Sequence, residues 1–167
     1  MKKRLSVLLL ASIFFISCEK EQDPYLISQN SIGRLTKDVK ISELDSVFAG
    51  DSIVKQMSEG EIFKKSNEIE IYDKSGKKIL LMEPVQAFDS TSTVGFIQVI
   101  DPRFKTAKGL GPQSTFKDIV QNYNISRIEN TLSAAVIFID EINVYVTIDK
   151  KQLPAELRYD TQAHIQA

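Results

Sequence analysis

The residues able to do chemistry are few. The 167-residue chain carries one cysteine, Cys18, one histidine, His164, and no tryptophan. A single thiol cannot close an internal disulfide or complete a zinc knuckle, and a single imidazole cannot build a multi-histidine metal site. Hydroxyls, amines and carboxylates remain. Ser114-Thr115-Phe116-Lys117 sets a serine three residues before a lysine, a spacing at which one helical turn brings an amine towards a nucleophilic hydroxyl. Asp140, Glu141, Asn143 and Asp149 gather oxygen atoms of the kind that hold Ca²⁺, without the spacing of an EF-hand loop. Hairpin turns are acidic for reasons of their own, so no metal site and no cofactor is expected there. His164 stands alone near the C-terminus.

The thiol is the informative one. Met1-Lys2-Lys3-Arg4 is basic, and Leu5 to Ile16 is an unbroken run of apolar and small residues. That run has the length of the hydrophobic region of an export signal, and it falls short of the roughly 20 residues a spanning helix needs. It ends in Phe15-Ile16-Ser17-Cys18, followed at once by the charged stretch Glu19-Lys20-Glu21-Gln22-Asp23-Pro24. This junction resembles the lipobox of bacterial lipoproteins, in the relaxed form associated with the Bacteroidota, since Phe15 stands where leucine is most frequent. The resemblance implies signal cleavage between Ser17 and Cys18, a thioether-linked diacylglycerol on the Cys18 sulfur, and a further acyl chain such as palmitate on the new amino group. It also implies attachment to the bacterial outer membrane, facing the periplasm or the cell surface. Glu19-Lys20-Glu21 is similar to the acidic tags that direct some of these lipoproteins to the surface. Two or three acyl chains hold a protein stably where one is marginal.

Residues 1–17 are thus assigned to the signal peptide, 18–30 to a flexible tether, and 31–167 to a single domain. Cleavage leaves 150 residues and removes three basic ones, so 18 Lys+Arg face 22 Asp+Glu for a net charge of −4. A chain of that size can bury about 68 to 70% of its unfolded surface, enough for one self-sufficient core. Its mildly acidic balance argues against nucleic acid as a partner and against electrostatic adhesion to anionic lipid.

The elements that would position any site fall into two halves, 31–84 and 93–150. Ile41-Ser42-Glu43-Leu44-Asp45-Ser46-Val47-Phe48 matches Phe116-Lys117-Asp118-Ile119-Val120-Gln121-Asn122-Tyr123, 75 residues on, in its order of apolar, acidic, aliphatic and aromatic positions. Apolar residues at i, i+3 and i+7 share one face of a short helix, and Ser114 or Thr115 can cap the second copy. Ile32-Gly33 and Leu110-Gly111-Pro112 supply a turn before each. The period then changes to two. Asp51 to Met57, Glu68 to Tyr72 and Lys77 to Met82 follow the first helix, with Asp73-Lys74-Ser75-Gly76 as a turn. Ile125 to Thr131, Ala134 to Ile139 and Ile142 to Ile148 follow the second. Such alternation broken by a Gly-containing or polar turn predicts hairpins, and Thr93 to Ile100 is expected to be one more strand between the halves. The expected fold is α+β, two tandem helix-strand-hairpin units packing short helices on one antiparallel sheet.

This pattern, with the Gly-x-Gly-Pro-x-Ser-Thr turn at Gly109 to Thr115, resembles the tandem units of small envelope lipoproteins, the outer-membrane-assembly lipoproteins and the related β-lactamase-inhibitor-protein fold. The resemblance implies a non-enzymatic module that binds other macromolecules. Ser114 and Lys117 also match the Ser-x-x-Lys of penicillin-binding proteins, but Lys74-Ser75-Gly76 then comes in the wrong order and the chain is too short for that two-subdomain enzyme. Asp45-Ser46-Val47, Asp51-Ser52-Ile53 and Asp89-Ser90-Thr91 fit the acceptor tripeptide of Bacteroidota O-glycosylation, with Ser90 and Ser52 the candidates. Tyr72, Tyr123 and Tyr145 are read as core or sheet residues, not as a sugar-stacking platform.

The function expected from these residues is that of a cell-envelope lipoprotein, a non-catalytic binding or structural module whose partners are membrane lipid through Cys18 and an envelope protein or glycan. Two alternatives stand beside it: a small carboxylate-dependent hydrolase or carbohydrate-active enzyme, and a protein inhibitor or assembly partner.

Overall fold

Alternating side chains explain most of the architecture, which we describe from a computed structural model covering residues 23–57 and 67–152. Ser52–Met57 (β4), Asn67–Tyr72 (β5), Lys78–Pro84 (β6) and Val94–Val99 (β7) form a four-stranded antiparallel meander in that order. Arg127–Asn130 (β9), Ala134–Ile139 (β10) and Val144–Asp149 (β11) form a three-stranded one centred on β10. Between and before them lie four short strands, Leu26–Ser28 (β1), Ser31–Ile32 (β2), Leu35–Thr36 (β3) and Lys105–Thr106 (β8), ordered β3-β2-β1-β8 with β1 and β8 parallel. A 3-10 turn at Ile41–Glu43 runs into the helix Leu44–Val47 (α1), and the second helix is Phe116–Asn122 (α2).

Among the described residues the fold is therefore strand-dominated, with three small sheets and two short helices, where one antiparallel sheet was expected. The reason lies at the junction. β7 belongs to the first meander by its ladder with β6, and it meets the second through rings, Phe96 stacked on Tyr145 with centroids 6.0 Å apart and planes at 16°. After β7 the chain turns through Asp101 into β8, which pairs with β1. β1 also lies inside the stretch assigned to the tether: Ile27 is buried, and Tyr25 packs edge-on against Phe104 at 5.1 Å.

Each meander buries one face under a helix. In the first, Ile53, Ile71 and Leu80 stand in one cross-strand row, and Leu44 and Ile41 close over a core that includes Ile69, Met82 and Phe104. In the second, the row is Ile128, Ile137 and Val146, covered by Ile119 and Tyr123 of the α2 segment. The next rows agree as well, Ile69 opposite Met82 and Ala135 opposite Ile148. The helices repeat the same local bonds. Phe48 donates its N–H to the Leu44 carbonyl and Tyr123 to that of Ile119, both at 2.9 Å. The Glu43 carboxylate accepts the Lys40 N–H at 2.9 Å, and the Asp118 carboxylate accepts the Thr115 N–H at 2.7 Å.

Thr115, rather than Ser114, is the N-cap of α2: its hydroxyl accepts from the Asp118 N–H. The two cores share no residue. A buried hydrogen bond between the hydroxyls of Thr106 and Tyr123 ties β8 to the end of α2.

Candidate functional site

Several of the residues singled out in the sequence lie outside the described residues: Ser17, Cys18 and His164. Of the hydroxyl acceptors, Ser90 sits exposed in the loop between β6 and β7, where its carbonyl accepts from the Ser42 N–H at 2.9 Å. Ser52 is exposed at the start of β4, opposite Tyr72, and Ser46 is exposed on α1. The Ser114 hydroxyl accepts the Gly111 N–H at 3.0 Å and reaches back to the Gly109 carbonyl. It braces a turn, and its bonds do not run to Lys117. No group of three or more potential metal ligands occurs among the described residues.

Two charged assemblies went unseen in the sequence. The larger centres on Asp101, whose side chain is fully buried. Arg103 grips it through Nε to Oδ1 and Nη2 to Oδ2 at 3.0 Å each, and Lys77 shares the Oδ2 oxygen at 3.1 Å. The same guanidinium donates to Asp73 at 2.6 Å and to the Tyr25 hydroxyl at 2.8 Å. The Arg103 hydrogen bond holds the Asp101 carboxyl well below the ordinary carboxylate range despite its burial. The Ser75 hydroxyl and then Arg103 bring Asp73 down to about 2. The assembly joins the β5–β6 turn, the turn that leads into β1 at Tyr25 and the β7–β8 connection, and every charge in it has a partner. It is a structural tie.

The second assembly lies on the outer face of the first meander. Glu70 is buried there and accepts from the Tyr72 hydroxyl at 2.6 Å and from Lys78. The Glu70 hydrogen bond pushes the Tyr72 hydroxyl and the Lys78 amine both up from their ordinary values. Neither group is thereby made a better nucleophile or base at neutral pH.

Two open grooves lie among the described residues of the second half. One, of about 340 Å³, lies between the Gly109–Ser114 turn and α2, lined by Lys105, Gln113 and Asp118 among others. Two of its charged groups are committed, Asp118 to the Thr115 cap, and Lys108 to the Asn122 carbonyl, the Glu141 carboxylate and the Tyr123 ring. The other, of about 280 Å³, is lined by Arg127, Phe138, Asp140, Asn143, Val144 and Tyr145 at one end of the second meander. Tyr145 is half-exposed, at 47%. It is a sheet residue as expected, but on the solvent face, whereas Tyr123 is buried and Tyr72 half-buried. The signal was present: the alternation that buries Val146 and Ile148 against the second core turns Tyr145 outward.

The β6–β7 loop shows one further irregularity. Phe88 adopts φ 62°, unusual for a bulky residue, and is partly exposed beside the exposed Val85. The Phe88 N–H is held by the Asn67 side-chain oxygen at 3.3 Å.

No family model, curated protein or solved structure matches this chain. No helix among the described residues is long and apolar enough to cross a membrane.

Proposed function

We infer that the protein is a cell-envelope lipoprotein, held at the bacterial outer membrane by acyl chains on Cys18, and that its domain is a non-catalytic binding or structural module. The observation that carries this reading is the chain's only thiol standing at the end of an export signal, at Ser17-Cys18, where lipid chemistry needs one. The arrangement of the domain supports it. Among the described residues, the α2 groove and the groove at the end of the second meander each offer a single carboxylate, Asp118 and Asp140, whereas a carboxylate-dependent glycosidase needs a pair about 5 to 9.5 Å apart across a cleft.

The domain comprises two copies of one unit, a capped helix followed by three antiparallel strands, to which β7 adds a fourth in the first copy. The equivalence of the Ile53-Ile71-Leu80 and Ile128-Ile137-Val146 rows supports this. So does the shared helix geometry. The 75-residue offset holds from the caps through the first strand of each unit. It then drops to 66 at Ile71 and Ile137, because the first unit has the longer β4–β5 connection.

Described structure begins at Asp23, five residues after Cys18. Even a fully extended chain of that length reaches about 18 Å, so the domain works close to the lipid headgroups, facing either periplasm or cell surface.

The test is Cys18→Ala in the native host with radiolabelled palmitate. The parent incorporates label and sediments with outer membranes, and the variant does neither. A parent that takes up no lipid, or a variant that stays membrane-bound, refutes the anchor.

A further inference from the structure

We propose that the groove at the end of the second meander is a binding site for a neutral sugar ring of a glycan. This rests on the reading of the domain as a binding module and gives that module a site and a ligand class.

The floor is a rigid aromatic surface. Tyr145 is stacked on Phe96, at 6.0 Å and 16°, and tilted against Phe138 at 5.9 Å. A ring fixed by two neighbours and still 47% exposed loses little freedom when something settles on it. The electron-rich face of an aromatic ring attracts polarised C–H groups, which is what the apolar side of a pyranose offers.

The rim is polar and uncommitted. Among the described residues, the carboxylate of Asp140, the amide of Asn143 and the hydroxyl of Tyr145 have no hydrogen-bond partner, and neither do the terminal N–H groups of Arg127. Arg127 is itself positioned, its guanidinium lying over Phe138 at 3.7 Å and its Nε bonded to Glu129 at 2.8 Å. The equivalent turn of the first unit is closed. There Asp73 accepts from Ser75, Lys77 and Arg103 and is left with nothing to offer a ligand.

Charge and size select the occupant. The one cation in the groove is balanced by Glu129, and Asp140 adds a negative charge, so a phosphate or sulfate is repelled. An apolar peptide would leave the carboxylate, amide and guanidinium facing carbon, which is unfavourable for each polar group so covered. A polyol satisfies donors and acceptors together. At about 280 Å³ the groove is at the small end of ligand sites, which suits one ring of a longer glycan passing across an open edge.

The experiment uses the full lipidated chain in detergent on an array of neutral and acidic glycans. Neutral glycans should be retained, Tyr145→Ala should weaken retention at least tenfold, and Tyr145→Phe should keep most of it. Asn143→Gly, which suits the positive φ of 54°, should also weaken retention without disturbing the fold, with thermal melting as the check on each variant. Retention of no glycan, of acidic glycans only, or of neutral glycans equally by the parent and Tyr145→Ala overturns the proposal. A photo-cross-linker at position 145 that captures an envelope protein from a strain whose chain retains no glycan also overturns the sugar site while leaving the binding module standing. The Cys18→Ala fractionation fails or succeeds independently of all of these.

Discussion

Glu43 and Asp118 hold the same place in two helices: each carboxylate accepts the backbone N–H of the residue three before it, Lys40 at 2.9 Å and Thr115 at 2.7 Å. The acid at this position satisfies a donor that the helix itself leaves orphaned. At Asp118 the box is complete, because the Thr115 hydroxyl also accepts from the Asp118 N–H. The Thr115 N–H and hydroxyl in turn hold the Asp118 carboxyl below its ordinary value. Thr115→Ala should therefore lower stability by about 0.5 to 2 kcal/mol in urea denaturation, and Thr115→Ser should restore it. Glu43→Ala should lose no more than Thr115→Ala, since Lys40 contributes no side-chain cap. An undiminished midpoint in Thr115→Ala would show that the packing of Ile119 holds the helix by itself.

The Asp101 tie gives the protein a defined acid sensitivity. Asp101 and Asp73 both have folded-state pKa values depressed below the unfolded carboxylate value, which is about 3.9. A depressed group contributes stability that is complete above the unfolded value and is lost as pH falls through the folded one. Melting temperature should hold from pH 7 to about 5, fall below about 4, and keep falling past the Asp73 value of about 2. Asp101→Asn should melt lower at pH 7, because Arg103 and Lys77 then lose their buried counter-charge, and its curve between pH 5 and 2 should be flatter than that of the parent. Equal slopes for the two proteins would place the acid sensitivity elsewhere.

The glycine turn before α2 makes separable demands. A Cβ on Gly111 would stand 2.5 Å from the Phe104 carbonyl oxygen, so backbone has to move, whereas one on Gly109 would meet nothing within 4 Å but sits at φ 85°. Gly111→Ala should destabilise by about 1 to 3 kcal/mol through the clash. Gly109→Ala should lose about 1 to 2 kcal/mol through the left-handed backbone alone, and Gly109→Asn should recover part of it. Chemical denaturation of the three variants distinguishes the causes: if Asn is no better than Ala at position 109, backbone conformation is not what Gly109 supplies.

The longer strands and both helices were legible because apolar residues recur along them at the right period, as at Ile69 and Ile71 in β5, Ile137 and Ile139 in β10, Val144, Val146 and Ile148 in β11, and Leu44 and Ile119 in the helices; β5 and β6 also bury Glu70 and Ile79, which that period does not mark. β2, β3 and β8 hold two residues each and β1 three. A pattern of period two cannot be seen in so few residues, which is why Leu26 to Ser28 looked like tether. The Asp101 tie was invisible for another reason: Arg103 reaches Asp73 across 30 residues and Tyr25 across 78, and nothing local marks such partners. The groove fell between these cases. The alternation of β11 placed Tyr145 outward, but its support by Phe96 depends on two sheets meeting edge to edge, which no local pattern records.

Two cores with no shared residue should respond independently. Ile71 and Ile137 are each fully buried at the centre of their meanders, so Ile71→Val and Ile137→Val remove the same methylene from equivalent surroundings. Each should lose about 0.5 to 1.5 kcal/mol. Distant sites without common partners add to within about 0.5 kcal/mol, and the double variant should show the sum. The links between the units include Phe96 on Tyr145, Thr106 on Tyr123 and the paired bonds between Thr106 and Leu110; these lie away from the central strands β5 and β10, so the units can also separate during unfolding. Ile137→Val should then lower a transition followed by amide exchange of β10 more than one followed by exchange of β5, and Ile71→Val the reverse. A coupling above about 1 kcal/mol in the double variant, or identical shifts at both strands, would mean that the two meanders fold as one cooperative body.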